Sequence, residues 1–440
     1  MRKMKDSGIE WIGQIPQEWK TIRLRSRFSF GKGLPITKAD LAESGIGVVS
    51  YGQIHSKANI GTTIKPELIR YVDNKYLTTN ESSLVSNGDF IFADTSEDIS
   101  GCGNCMYVDV DYPMFAGYHT MILRPVNELS TKYYSYLFAT DAWRSQIRAQ
   151  ASGVKLFSIT QKMLRDALLV EPSEEEKDRI VRYLDDKCAA IDALIAAKEK
   201  TNALLKERRQ SIIYEAVTKG LNPDAPMKDS GIEWIGEIPE HWDVAALKRV
   251  ATPSTGMTPS KANPQYWEGD IPWFSSKDIK AGYLFDSEDH ISQQAVDECG
   301  LTVHDENSVV FCARSGILRH TFPVAVLKCK GTINQDLRVL ATSAAIDPEF
   351  LMYYLRGMNN TIVTLYQKVG ATVESIEMEW LLYLPVALPP VEEQKQIAEY
   401  IVARCNEIDS QIAANEVSVQ KLKEYRQSII YKAVTGKIEI

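Results

Sequence analysis
The chain contains itself twice, and this duplication constrains its fold more than any other feature. Residues 4–19 read MKDSGIEWIGQIPQEW and residues 227–242 read MKDSGIEWIGEIPEHW, identical at 13 of 16 positions. Residues 209–218 read RQSIIYEAVT and residues 426–435 read RQSIIYKAVT, identical at 9 of 10. Two near-copies half a chain apart imply two equivalent halves with an approximate two-fold relation, suited to a target or partner that is itself two-fold related. The 440 residues exceed what one core can hold, and the expectation from length is about two to four domains.

The copies align with an offset of 223 at their heads (4 to 227) and of 217 from Gly153 onward (153 to 370), a difference of six residues. Between these conserved ends, residues 20–152 and 243–369 show little mutual likeness. Each half therefore reads as a constant frame around a variable insert, the pattern expected when the frame is architectural and the insert carries specificity. The net charge of −8 argues against a protein that simply coats phosphates. The inserts are close to neutral, however: 14 basic against 13 acidic residues in the first, 12 against 14 in the second.

The frame has a clear local reading. A short apolar run (LLVEP, 168–172; LPVALPP, 384–390) ends at proline, and Ser173 caps a helix that opens on Glu174, Glu175 and Glu176. No Gly or Pro interrupts the chain from there to Val217. Apolar residues recur at Ile180, Leu184, Ile191, Ile195, Leu205 and Ile212, and in the second copy at Ile397, Ile401, Ile408, Ile412, Val419, Leu422 and Ile429. Each copy predicts a helix of about 44 residues, roughly 65 Å long. A helix with so narrow an apolar stripe is unstable alone, and the other copy is the expected partner. The inserts read as mixed α/β. Strand character appears at 48–54, 84–94, 120–125, 309–314, 322–328 and 337–342, and aromatic-rich helices at 131–147 and 348–358. Trp11, Trp19, Trp234 and Trp242 recur with the repeat and read as core anchors.

Several chemistries find no support. The N-terminal stretch lacks the apolar region of a secretory signal, no run approaches the length of a membrane span, and seven scattered cysteines fit a reducing cytoplasm; no membrane association is expected. There is no P-loop, dinucleotide-binding glycine fingerprint or HExxH, and no adenine-methyltransferase motif. Cys102 and Cys105 form a lone CxxC, which without two further ligands reads as ordinary thiols. No catalytic residue, metal site or cofactor of the chain's own is expected.

The second insert carries GMTPSKANPQYWEGDIPWFSSKDIKAGYL (256–284), FCARSG (311–316) and INQDLRVL (333–340), followed by LPPVEEQKQIAEYI (388–401). With GIEWIGxIPxxW at the head of each half, this order resembles the specificity (S) subunit of type I restriction–modification systems over essentially the whole chain. The first half is less typical, its likeness resting on residues 45–57, 93–98 and 116–125. The resemblance implies an α/β (α+β) architecture with a pseudo-two-fold internal repeat, in which two mixed α/β target recognition domains are separated by two long antiparallel helices forming a coiled coil. The segments would be 1–19 (N-terminal conserved segment), 20–172 (first recognition domain), 173–220 (first long helix), 221–242 (repeat of the N-terminal segment), 243–389 (second recognition domain) and 390–440 (second long helix). It further implies partners: double-stranded DNA read as a bipartite site, two DNA adenine-methyltransferase (M) subunits, and restriction/motor (R) subunits. S-adenosylmethionine, ATP and Mg would sit on those subunits and not on this chain.

Base-reading side chains should lie in the inserts and carry bidentate donors or acceptors, because arginine reads guanine and Asn or Gln reads adenine. The candidates are Lys32, Lys38, Tyr51, Gln53, His55, Ser96 and Tyr118 in the first insert. In the second they are Thr258, Ser260, Lys261, Ser275, Ser276, Lys277, Arg314, Asn334 and Gln335. Phosphate contacts outnumber base contacts in most complexes, so any one of these is more often a positioning residue than a reader. Two rival readings remain: a coiled-coil adaptor that binds proteins only, and an acidic DNA mimic, against which the near-neutral inserts speak.

Overall fold
The computed structural model describes residues 2–127, 130–153, 155–280, 282–368 and 373–440. The start of the second constant frame expected at Gly370 therefore lies outside the described residues. The chain divides into two compact units: Met1–Lys198 with Val417–Ile440, and Glu199–Glu416. Each unit thus takes one part of each long helix.

In the first unit the central sheet has strand order Cys105–Tyr107, Phe90–Ala93, Thr120–Pro125, Phe28–Lys32, antiparallel throughout. A second sheet beside it contains a parallel pair, Ile46–Val49 with Met114–Ala116. The strands that enter and leave the insert, Lys20–Arg23 and Leu168–Glu171, pair antiparallel and close the frame beneath it. The second unit repeats this plan. Its central order is Val324–Leu327, Val309–Cys312, Leu337–Thr342, Ala251–Thr255, with Tyr283–Leu284 added at one edge. Its parallel pair is Ile271–Phe274 with Thr332–Ile333, and its closing pair is Asp243–Ala246 with Pro385–Leu388. The two inserts, so unlike in sequence, share this central strand order, while the second sheet has five strands in the first unit and three in the second. The 217-residue offset already holds at strands Thr120–Pro125 and Leu337–Thr342, well before Gly153.

Several local expectations change. The run 48–54 is strand only over Ile46–Val49; Tyr51–Ile54 is a helical turn, because Ser50 and Gln53 form a capping box. Residues 84–94 split into Leu84–Val85 and Phe90–Ala93 around a turn at Gly88. The aromatic segment 131–147 splits into Thr131–Phe138 and Asp141–Arg148, where the Thr140 hydroxyl caps the second helix by accepting from Trp143 N at 3.2 Å.

The long helices are Glu174–Lys219 (46 residues) and Val391–Val434 (44 residues). The longer one measures about 69 Å at 1.5 Å per residue. Ser173 Oγ accepts from Glu176 N at 3.3 Å, the expected cap. Within the first unit Ile180, Leu184, Cys188, Ile191 and Ile195 pack on Val419, Leu422, Ile429 and Ile430, and Asp192 pairs with Arg426 at 3.0 Å. Within the second, Arg209 pairs with Asp409 at 2.6 Å and Asn202 Oδ1 accepts from Asn415 Nδ2 at 2.9 Å. In both units numbers rise along one helix as they fall along the other, so the segments run antiparallel. The buried residue near the end of the first helix is Ile213 and not Ile212. There the helix turns its face to helix Pro348–Gly357, and the bare Cα of Gly357 admits Ile213 and Val217.

The repeated heads dock onto these helices. Trp19 Nε1 donates to Glu176 at 2.9 Å, and its counterpart Trp242 to Glu393 at 3.1 Å; both rings are buried. Trp11, in contrast, is 41% exposed, and Trp234 is only partly buried. Ile9, Ile12 and Ile15, and equivalently Ile235 and Ile238, supply the core there. Each head is also held by the tail of the other copy. Tyr214 Oη donates to Trp234 O at 2.6 Å, and Tyr431 Oη to Ile12 O at 3.3 Å. One difference between the units is large. In the first, a fully buried Lys177 donates to Glu171 at 3.0 Å, Glu174 at 2.7 Å and the Tyr134 hydroxyl at 2.8 Å, while Arg27 reaches Glu171 at 2.9 Å. The residues corresponding to Lys177, Glu171, Glu174, Tyr134 and Arg27 are Gln394, Leu388, Val391, Leu351 and Val250. Among the described residues no helix is long and apolar enough to cross a membrane.

Candidate nucleic-acid interface
One edge of each central sheet gathers the loops that carry most of the candidate readers. It is built by the same backbone bonds in both units. Asp94 N donates to His119 O at 3.2 Å and Ile159 N to Asp94 O at 2.8 Å; at the matching places Ala313 N donates to Asp336 O at 2.8 Å and Ile376 N to Ala313 O at 2.8 Å. The chain leaving the first strand crosses this edge at Gly33 and Gly256, where a Cβ would collide with the carbonyls of Gly117 and Ile333. Glycine is required there by close approach alone. The backbone is thus constant, and the side chains mounted on it are not.

In the first unit Lys32 and Tyr118 line a cleft of about 440 Å³ together with Asp94, His119 and Gln161. Tyr51 packs edge-on against Tyr118 and His119, with ring centroids 5.6 and 5.5 Å apart. His119 is an exposed non-glycine residue with φ of +53°, a costly left-handed conformation for that side chain. Its Nδ1 lies 3.3 Å from Asp94. His55 is turned inward: Nε2 meets Thr95 O at 2.8 Å and Nδ1 meets Asn104 at 3.2 Å. Gln53 accepts from Ser50 N at 3.1 Å and so serves its own helical turn. Ser96 is buried and donates to Asp98 O at 2.7 Å, while Lys38 stands exposed on the turn Lys38–Asp40.

In the second unit Gln335 occupies the position of Tyr118, and Asp336 that of His119. Thr258 Oγ1 donates to Gln335 Oε1 at 2.6 Å. Arg314, whose side chain is 60% exposed, lies 3.0 Å from Asp336. Asn334 is buried with Oδ1 accepting from Asp336 N and Leu337 N at 3.0 and 3.1 Å, which shapes the loop. Ser275 is likewise buried and tied to Asp278 at 2.9 Å, next to exposed Ser276. Lys277 is held by Asp289 at 2.9 Å and Glu288 at 3.0 Å, and the hydrogen bonds it donates to these carboxylates raise its pKa. Ser260 and Lys261 are exposed near Trp267, over whose ring the ammonium lies at 5.9 Å. The groups of this edge that remain accessible are therefore exposed Lys32 and half-buried Tyr51 and Tyr118 in one unit, and exposed Arg314 and Gln335 with half-buried Thr258 in the other. His119, Gln161 and Asp336 belong to the same edge and were not among the candidates. Aligning the inserts at the 217 offset, which places Tyr118-His119 on Gln335-Asp336, is the signal that would have found two of them.

Cys102 and Cys105 are buried free thiols, Cys105 pushed up to about 12 by burial. Among the described residues no group of His, Cys, Asp and Glu side chains could hold a metal ion.

The fold and its loop edge define a class: a duplicated chain whose two units carry equivalent, differently furnished loop edges. The family model for the type I restriction modification DNA specificity domain matches residues 16–206 and 239–415, and the chain belongs to that family. It is 29% identical over 234 residues to the EcoR124I/EcoR124II specificity subunit of Escherichia coli. That match spans about half of either protein, 52% of each. It is 23% identical over 447 residues to the putative MjaX specificity subunit of Methanocaldococcus jannaschii, covering 98% of this chain and 96% of that one. Among solved structures, one chain from a study of type I R-M complex assembly and conformational transition superposes with a TM-score of 0.71 at 19% identity, covering 96% of this chain and 99% of that one. The HsdS subunit of Thermoanaerobacter tengcongensis gives 0.52 at 18%, covering 96% and 98%.

Proposed function
We propose that this chain is the DNA sequence-specificity subunit of a type I restriction–modification complex. Each recognition domain binds one half of a bipartite site in double-stranded DNA, and the conserved frame recruits two adenine-methyltransferase subunits and, through them, the motor–nuclease subunits. The chain carries no catalytic step itself; S-adenosylmethionine, ATP and Mg belong to its partners. The proposed segments are those set out from the sequence, with readers drawn from residues 32–57, 94–98 and 118–119 in the first domain and 258–277, 314 and 334–336 in the second. The observation that carries this reading is the loop edge: identical backbone bonds hold Tyr118-His119 in one unit and Gln335-Asp336 in the other. One scaffold displaying two sets of side chains is what reading two different half-sites requires.

The test is a base-resolution methylome of cells carrying this gene and its methyltransferase partner, against cells lacking this chain. A split adenine-methylated motif that disappears with the chain supports the proposal and reads out both half-sites. A methyltransferase that is active with an unchanged pattern overturns it in favour of a protein-only adaptor.

A further inference from the structure
A second cleft lies wholly within the second unit, between the recognition domain and the paired helix segments, with a volume of about 890 Å³. Its charged lining is unbalanced: Arg209, Lys280 and Arg356 against the single carboxylate of Asp409. Two of these cations are already committed, Arg209 to Asp409 at 2.6 Å and Lys280 to Glu288 at 3.5 Å. Arg356 has no such ion pair: half-buried, it donates through Nη2 to Val324 O at 3.0 Å and lies 5.9 Å over the Tyr353 ring, and among the described residues no carboxylate pairs with it. Burial is the main influence lowering its pKa, with Tyr353 acting against it and the nearby Arg209 charge adding to it. A half-buried guanidinium with one neutral oxygen acceptor lacks the counter-charge that an anion entering the cleft would supply. Its remaining donors form a planar fork of the kind that matches phosphate oxygens.

The first unit shows that this is not a necessity of the frame. There the place of Arg356 is taken by Ala139 and that of Val402 by Asp185. Asp185 is closed off by the Tyr136 hydroxyl at 2.6 Å and by Lys132 at 3.0 Å. The same corner of the fold is thus neutralised internally in one unit and left positive and open in the other.

We propose that the Arg356 cleft is a phosphate-binding site, filled by a phosphoryl group approaching along the helix segments. The group would come either from the DNA backbone flanking the second half-site, a version that rests on the function proposed above, or from a free phosphate. The experiment compares the full chain with Arg356→Met, which keeps the side-chain volume, and with Arg209→Gln, which removes the half-exposed partner of Asp409, each variant being checked for an unchanged circular dichroism spectrum. The first arm measures thermal unfolding in sodium phosphate against sodium chloride at matched ionic strength. The second measures DNA affinity of the chain with its methyltransferase partner as a function of salt.

A phosphate-specific rise in melting temperature that Arg356→Met abolishes identifies a free-phosphate site, whether or not the chain binds DNA. No phosphate effect, with a salt slope that falls by about one in Arg356→Met on cognate and non-cognate duplexes alike, identifies a backbone phosphate. If Arg356→Met and Arg209→Gln leave both readouts unchanged, the proposal is overturned. A complex that binds no DNA refutes the proposed function and leaves the free-phosphate version to be decided by the first arm.

Discussion

The buried charge cluster of the first unit permits a sharp test, because the second unit displays its replacement. Lys177 is fully buried and Glu171 is 6% exposed, and they meet at 3.0 Å. Replacing Lys177 by glutamine, the residue at the matching position 394, strands the Glu171 carboxylate. Removing one partner of a buried pair costs about 3–5 kcal/mol. Arg27 still reaches Glu171 at 2.9 Å, so the low end applies, about 3 kcal/mol. The triple variant Lys177→Gln, Glu171→Leu, Tyr134→Phe removes the stranded carboxylate and the orphaned hydroxyl together, and leaves Arg27, whose side chain is 34% exposed, to water. It should recover all but about 1 kcal/mol, since a buried pair exchanged for apolar groups is close to neutral. Urea unfolding followed by tryptophan fluorescence reports on this core, where Trp19 and Trp143 are buried. The single variant should lower the midpoint by about 1 M at unchanged slope. A loss below about 1 kcal/mol in the single variant, or a triple variant no better than the single one, would refute the reasoning.

Four further outcomes are expected. Burial pushes the Glu171 carboxyl up, but the Arg27 hydrogen bond and the Lys177 charge outweigh it and hold the pKa below the usual range; stability from this group is complete above about pH 4.3 and lost as pH falls through the folded pKa, so acid titration of unfolding should be shallower in the triple variant. Arg314→Gln, at a 60% exposed side chain, should leave unfolding unchanged within about 0.5 kcal/mol and weaken recognition of the second half-site by about 1–3 kcal/mol without touching the first, as methylome or competition binding will read. Gly220→Ala places a Cβ 3.1 Å from the Trp242 ring at φ of +73°, and should cost about 1–2 kcal/mol in calorimetry. Removing one heptad within residues 196–205 should change the spacing between methylated half-sites; an unchanged spacing means the helices do not set it.

The long helices were legible because forty-odd residues without Gly or Pro and with one apolar stripe permit little else. The stripe's end was misplaced by one residue, at Ile212, because Gly357 on a distant helix decides which face is covered. The central strand order that the inserts share was not legible. Equivalent buried positions exchange chemistry, Tyr134 for Leu351 and Lys177 for Gln394, so residue identity vanishes while burial persists. Trp11 misled because repetition alone does not distinguish a core residue from an exposed one. At the loop edge, Tyr118 and Gln335 were chosen separately and occupy one structural position. Ser96, Ser275 and Asn334 were chosen for polarity that the structure spends on their own loops, a commitment invisible without coordinates.

The frame and the loop edge are physically separable, and this explains how one tolerates variation in the other. The contacts that repeat between units, Trp19 with Glu176 and Trp242 with Glu393, and Tyr431 and Tyr214 on the head carbonyls, all lie where heads, tails and helix starts meet. None involves residues 32–57, 94–98 or 118–119, or their counterparts. Strand ends at the loop edge are instead fixed by backbone bonds, which any side chain satisfies, and by the close approaches at Gly33 and Gly256, which exclude one. Substitution at 118 or 335 therefore alters neither the closing strand pair nor the helix seam. The first unit's core is completed by Ile430, Ala433 and Val434 from the chain's far end, with Tyr133 Oη donating to Val434 O at 2.9 Å. A loop may change freely in such a chain, whereas loss of the last two dozen residues would open a core more than 200 positions away.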